Sequence, residues 1–120
     1  MLEPVEIKIL AFVRGSIQYW NAKNIDAMAA RFRDDAVLSS PFAPESSSTW
    51  IQGKEDIIAH LKMVRDRYEH FRIVDVATTA SFYTILLSNG EEYLTIIIEP
   101  DQPSLLVRRM IICKSVFHAI

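Results

Sequence analysis

The hydrophobic period of this chain changes once, at Phe71, and that switch limits the possible folds more than any other feature. Before it, apolar residues recur at helical spacing. Ile9, Val13, Ile17 and Trp20, with Leu10 beside them, fall on one stripe between Pro4 and about Asn21. Pro4 suits the first turn, where a missing N–H costs nothing. Asn24 is placed to cap a short second helix, along which Ile25, Met28, Ala29 and Phe32 follow the i, i+3, i+4, i+7 pattern. Asp34-Asp35 ends that helix, and Ala36 to Ser39, too short for a helix, reads as a first strand. Lys54 to His70 makes a third helix with Ile57, Leu61, Val64 and Tyr68 in line. Glu55 and Asp56 sit in its first turn, where the helix dipole favours anions.

Beyond Phe71 the texture is β: FRIVDVATT, SFYTILLS, EEYLTIIIE and SLLVRRMIICKSVFHA. Asn89-Gly90 carries the signature of a type I′ hairpin. Glu99-Pro100-Asp101-Gln102-Pro103 supplies the next turn, since neither proline suits a central strand. Helices followed by a meander of strands predict an α+β fold with antiparallel pairing. At 120 residues, half of them hydrophobic, residues 1–120 make one domain with ample core.

A strand with one wet face alternates apolar and polar residues. Ile96-Ile97-Ile98, Leu105-Leu106-Val107 and Met110-Ile111-Ile112 do not. Both faces of these strands are therefore expected to be covered, one by the helices and one by a second copy of the chain, as a homodimer. Burial of whole strands within one monomer is the alternative. Between Ser39 and Gly53 the run SSPFAPESSSTWIQG exceeds the roughly 4–6 residues of a plain connection. Its Phe42, Trp50 and Ile51 predict a loop folded back over apolar surface, in the manner of a lid.

A net charge of -2, with dispersed basic residues, argues against a nucleic-acid partner. Cys113 is the only cysteine, so neither an internal disulfide nor a cysteine zinc site is possible. The first residues, MLEPVEIKILAFVRG, lack the basic region of a signal peptide. No apolar run approaches the roughly 18 residues that a membrane helix needs. The expectation is a soluble cytoplasmic protein with no membrane partner.

Asn21 to Phe42, NAKNIDAMAARFRDDAVLSSPF, resembles the SnoaL-like branch of the nuclear transport factor 2-like superfamily. Asn21-Ala22-Lys23-Asn24-Ile25-Asp26 is similar to that family's N-A-G-D-L-D phrase, and Arg31-Phe32-Arg33-Asp34-Asp35-Ala36 to its L-F-x-D-D-A segment. Gly53-Lys54-Glu55-Asp56-Ile57 looks like the family's entry into helix three, and Val64-Arg65-Asp66-Arg67-Tyr68 like the end of that helix. The resemblance implies a cone: three N-terminal helices packed on a strongly curved, mostly antiparallel sheet, with an internal pocket. It also implies dimers through the outer face of the sheet. Proteins of this kind include steroid isomerases, polyketide cyclases, epoxide hydrolases, dehydratases and non-catalytic binding modules, so the fold fixes little chemistry.

Steroid isomerisation needs a carboxylate base, an oxyanion tyrosine and a protonated aspartic acid. The ungapped match up to Pro41 places the base at Ser40 and the tyrosine at Ser16, with the third group near Leu94 or Thr95. None of these side chains has the required chemistry, so the resemblance argues against that activity.

The remaining candidates come from the residues themselves. Asp75 is the one carboxylate inside a strand and shares, by alternation, a face with Phe71, Ile73 and Ala77. It reads either as a buried base of raised pKa or as an exposed acid. His60 lies beside the apolar stripe of helix three, either as a proton shuttle and polar contact or as a surface histidine. His70 and His118 sit near segment ends and read as solvated. Cys113 is either a nucleophile or a small buried hydrophobe. Alternation sends Arg108 and Arg109 to opposite faces, Arg108 inside by a loose match of the strand or else Arg109, and the inward one must find a carboxylate from protein or ligand. The expected pocket is lined by Trp20, Phe42, Val64 and Met110, with Ser16, Ser40, His60 and Arg108 as polar points. No motif calls for a metal or cofactor. The expected function is a small-molecule pocket protein for an apolar ring-bearing or acyl ligand, either a lyase, isomerase or hydrolase using His60 or Asp75, or a non-catalytic binding or dimerisation module.

Overall fold

The structure, a computed structural model, describes residues 4–43 and 50–115. The central part of the expected lid, residues 44–49, and His118 lie outside the described residues. Helix α1 (Pro4–Asn21) buries Ile9, Val13 and Trp20 along the expected stripe. Helix α2 (Ile25–Met28) starts where Asn24 Oδ1 accepts a hydrogen bond from the Ala27 N–H at 3.3 Å, and a 3₁₀ turn (Ala29–Arg31) follows. Strand β1 (Phe32–Ser39) then begins at Phe32 rather than at Ala36. Phe32 and Asp34-Asp35 therefore belong to the strand, not to the helix. Phe32, Ala36 and Leu38 take its buried face at period two, which outweighs the helical spacing of Phe32.

Strand β2 (Ile51–Gln52) and helix α3 (Lys54–Arg67) precede strands β3 (Arg72–Thr78), β4 (Tyr83–Ser88), β5 (Tyr93–Pro100) and β6 (Val107–Ser115). The sheet is open, with order β2-β1-β6-β5-β4-β3, and only the β1–β6 pairing is parallel. One face carries Tyr83, Ile85 and Leu87 of β4 and Leu94, Ile96 and Ile98 of β5, all buried with α1 and α3 in a single core. Helices on one face of a curved, mostly antiparallel sheet give the α+β architecture expected from the change of period.

Two turns differ from expectation. The β4–β5 hairpin closes at the Ser88–Tyr93 pair through a four-residue loop, not a two-residue type I′ turn. Gly90 takes a φ of 97°, while Asn89 works through its side chain: Oδ1 accepts from the Glu91 and Glu92 N–H groups at 2.9 and 2.7 Å. After β5, Leu105 has a φ of 65° and its N–H bonds Asp101 O at 2.8 Å. Leu105-Leu106 thus belongs to the turn, and only Val107 of that apolar triplet enters a strand.

Side chains stitch the end of α1 to the rest. Arg65 Nε donates to Trp20 O at 2.7 Å, a carbonyl near the helix end that also accepts from the Lys23 N–H at 3.0 Å. Asn21 holds Phe71 twice, donating to its carbonyl at 2.9 Å and accepting from its N–H at 2.8 Å. Trp20 Nε1 donates to Tyr68 O at 2.8 Å.

Two one-residue bulges bend the sheet and reset its alternation. Between Ile73 and Asp75 the register of β3 on β4 slips, leaving Val74 as the extra residue. Between Glu99 and Pro100 the register of β5 on β6 slips, leaving Arg108 as the extra residue. The outer face carries half-buried Ile97 and Ile111 beside Phe82, which is 40% exposed. Within one chain this face is therefore only partly covered.

Candidate functional site

Between the helices and the inner face of the sheet lies a cavity of about 70 Å³. That is several times the roughly 10–15 Å³ that one water needs. Helix α1 forms one wall with Val13, Ile17 and Trp20, and α3 adds Leu61 and Val64. The sheet closes the other side through the inward rows of β4, β5 and β6, among them Ile96, Met110 and Ile112. Nearly all the lining is aliphatic or aromatic, as a ligand pocket with few polar points should be.

Three polar residues interrupt it: Ser16, Arg31 and Tyr83. Ser16 Oγ donates to Phe12 O at 2.9 Å, back-bonding within α1. Arg31 emerges from the 3₁₀ turn, and its guanidinium carbon lies 4.5 Å from the centre of the Phe12 ring and 5.3 Å from that of Tyr19. Its Nη1 donates to Phe12 O at 2.9 Å. Among the described residues no carboxylate pairs with it. Tyr83, at the start of β4, is 1% exposed, and its hydroxyl has no hydrogen-bond partner among the described residues. Burial pushes the Tyr83 phenol far up from its ordinary value of 10.0, with the Arg31 charge pulling part of the way back. At neutral pH Tyr83 is therefore a proton-bearing donor.

Of the expected lining residues, Ser16, Trp20, Val64 and Met110 meet at this cavity. Phe42 does not line it; the ring packs on Tyr68 with centroids 5.4 Å apart, so the loop does fold back over apolar surface there. Ser40 and His60 are brought together, but away from the cavity. His60 Nε2 and Ser40 Oγ are 2.8 Å apart, and Ser40 Oγ also accepts from the Phe42 N–H at 3.2 Å. Partial burial lowers the His60 pKa below its ordinary 6.5, favouring the neutral ring that can accept the serine proton. No acid joins the pair among the described residues' hydrogen bonds.

The two charged strand residues are corrected by the bulges. With Val74 extruded, Asp75 pairs with Leu86 and lies exposed on the outer face, its carboxylate accepting from the Val76 N–H at 2.9 Å. Asp75 therefore does not share the inner face with Ile73. With Arg108 extruded, Val107 and Met110 both point inward, and Arg108 and Arg109 are both exposed. They flank Glu99 of β5 with N···O distances of 3.9 and 3.6 Å. Arg108 thus does not enter the cone. The arginine that lines the cavity is Arg31, which lay inside the expected second helix and was not among the residues expected at the pocket. Tyr83 was equally missed, although alternation with Ile85 and Leu87 places it on the inner face. Cys113 is half-buried in β6. Among the described residues no three His, Cys, Asp or Glu side chains cluster as metal ligands, and no helix is long and apolar enough to cross a membrane.

Comparison with known proteins agrees with this geometry. The pattern of the SnoaL-like domain matches residues 13–89. A SnoaL-like protein of unknown function from Burkholderia thailandensis has a similar structure, with TM-score 0.78 at 20% identity, over 89% of this chain and 94% of that one. An NTF-2 like protein of unknown function from Burkholderia xenovorans is similar with TM-score 0.75 at 19% identity, over 96% and 89% of the two chains. A de novo designed protein with a curved β-sheet gives TM-score 0.72 at 11% identity, over 95% and 88%. Among curated proteins none matches. At these identities the structural likeness speaks for the fold alone. The matched span, from within α1 to the end of β4, covers more than half of the residues, and the chain belongs to the SnoaL-like family.

Proposed function

We propose that the internal cavity binds a small, mostly apolar molecule, ring-bearing or acyl, and that the chain is a small-molecule pocket protein. One observation carries this reading: a cavity of about 70 Å³ inside the fold, walled by both helices and sheet, with Ser16, Arg31 and Tyr83 as its polar residues apart from the committed Trp20 indole. Burying an apolar ligand there releases about 25 cal/mol per Å² of surface removed from water. Trp20, Val64 and Met110 supply the contact surface. Among the described residues no Asp, Glu or His lines the cavity, so base chemistry on a bound substrate has no starting group there. Non-catalytic binding is therefore preferred to a lyase, isomerase or hydrolase step, and steroid isomerisation is not proposed. The single Cys113 suits a reducing compartment, and the reading places the protein in the cytoplasm.

The test is a titration with toluene followed by methyl NMR. Saturable shifts at Ile96, Ile98 and Met110, with the outward Ile97 and Ile111 unmoved, are the expected result. Wall methyls that ignore saturating toluene overturn the reading. Mass spectrometry of the protein as purified then identifies any resident ligand.

A second copy of the chain is proposed as the cover of the outer sheet face. The half-buried Ile97 and Ile111 beside exposed Phe82 support this, because such a patch is costly to leave in water.

A further inference from the structure

We propose that Tyr83 and Arg31 form an anion-reading end of the cavity, so that its ligand is an apolar monocarboxylate. The inference rests on the pocket reading above and narrows it to one substrate class. Among the described residues, the Tyr83 hydroxyl is the only buried side-chain nitrogen or oxygen left without a partner. A buried hydroxyl without a hydrogen bond is costly, and most native structures avoid it. Tyr83 is 1% exposed and lines the cavity, so the group that completes it is one that enters the cavity.

Arg31 lines the same cavity. Its one hydrogen bond among those described, from Nη1 to Phe12 O, leaves further N–H donors of the guanidinium unspent. Stacked by Phe12 and Tyr19 and without a carboxylate partner among the described residues, it is a fixed, half-buried cation in need of a counter-charge. Arginine donates only, and a phenol that stays protonated at neutral pH has its proton to offer. Ser16 has already committed its proton to Phe12 O. The polar end of the cavity therefore offers donors and a positive charge, while the remainder offers hydrocarbon contact. A carboxylate on a small apolar body matches both, accepting from Tyr83 while neutralising Arg31.

Three probes of one shape separate the possibilities: benzoate, its neutral isostere benzamide, and toluene, titrated into the full chain and followed at the wall methyls of Ile96, Ile98 and Met110. Benzoate is expected to bind at least about tenfold tighter than benzamide. Tyr83→Phe and Arg31→Met are each expected to weaken benzoate about tenfold more than they change toluene, and toluene binding also certifies that each variant is folded. Benzamide binding as tightly as benzoate overturns the proposal, as does wild-type affinity for benzoate in both variants. If toluene binds and benzoate does not, the anion-reading end falls and the pocket stands. If none of the three moves the wall methyls, both fall.

Discussion

The guanidinium of Arg31 occupies the space that a β-carbon on Gly15 would need: its Nη2 would stand 2.7 Å from that atom. Gly15 lies inside α1, where alanine ordinarily gains about 1 kcal/mol over glycine. Here the gain must be set against the displacement of Arg31 from the Phe12 ring and from Phe12 O, contacts each contributing about 0.5–1 kcal/mol. Gly15→Ala is therefore expected to leave stability unchanged or to lower it by up to about 1 kcal/mol, measured by urea unfolding. A full gain of about 1 kcal/mol would show that the guanidinium is not seated against the helix.

Asn21 ties the last residue of α1 to the chain just before β3 through two hydrogen bonds with Phe71. Asn21→Ala leaves a partly buried carbonyl and N–H without their partner, and a loss of about 2–3 kcal/mol is expected. Asn21→Asp keeps the acceptor for the Phe71 N–H and gives up the donor, so its loss should be about half as large. Equal losses in the two variants would contradict the division between the two bonds. Urea midpoints at constant m-value are the measurement.

The partial burial of His60 predicts a pH dependence. Partial burial holds the folded-state pKa of His60 below 6.5, so the unfolded chain takes up this proton first. The contribution is whole above pH 6.5 and is lost as pH falls through the depressed folded value. The wild type should therefore lose more stability between pH 7.5 and 5 than His60→Gln does, in parallel urea titrations. Identical slopes would remove His60 as the source.

The change of period at Phe71, the stripe on α1 and the cap at Asn24 all read correctly because each is a local signal. What the sequence hid were the extra residues Val74 and Arg108. A bulge adds one residue to one strand, and nothing in the periodicity of FRIVDVATT or LLVRRM marks it. Each bulge moved one charged candidate, Asp75 or Arg108, to the outer face. The rule applied to Arg108 was nonetheless sound, since an inward arginine does need a counter-charge, and it transfers to Arg31. Phe32 carried both periods at once, and only its packing with Ala36 and Leu38 decides for the strand. Tyr83 was legible from alternation but lost among the aliphatic residues of its strand.

The outer face yields a prediction about assembly. Ile97 is half-buried with Ile111 and Phe82 nearby, at a groove that also touches Glu99 and Arg109. If a second copy covers this face, Ile97→Lys places an unpaired charge at its centre and should weaken association by about a hundredfold or more. Light scattering is expected to report a dimer for the wild type and a monomer for the variant at the same concentration. A wild-type monomer at high concentration removes the second copy.

Tyr83→Phe gives the sharpest separation of stability from function. The hydroxyl is buried without a partner among the described residues, so the folded state bears its desolvation with nothing returned in the absence of ligand. Removing one oxygen while keeping the ring preserves the packing of β4, and the free protein should gain about 1 kcal/mol. For a chain of this length that corresponds to a rise in Tm of roughly 3–5 °C. The gain should shrink as benzoate is added, because the ligand stabilises the wild type in proportion to the affinity that the phenol confers. A variant less stable than the wild type without ligand would mean that the hydroxyl already has a partner, an ordered water being the simplest. A gain that persists undiminished at saturating benzoate would mean that the oxygen contributes nothing to binding. The predicted pattern, stability rising as carboxylate affinity falls, arises only if Tyr83 is kept unsatisfied for something that enters from outside.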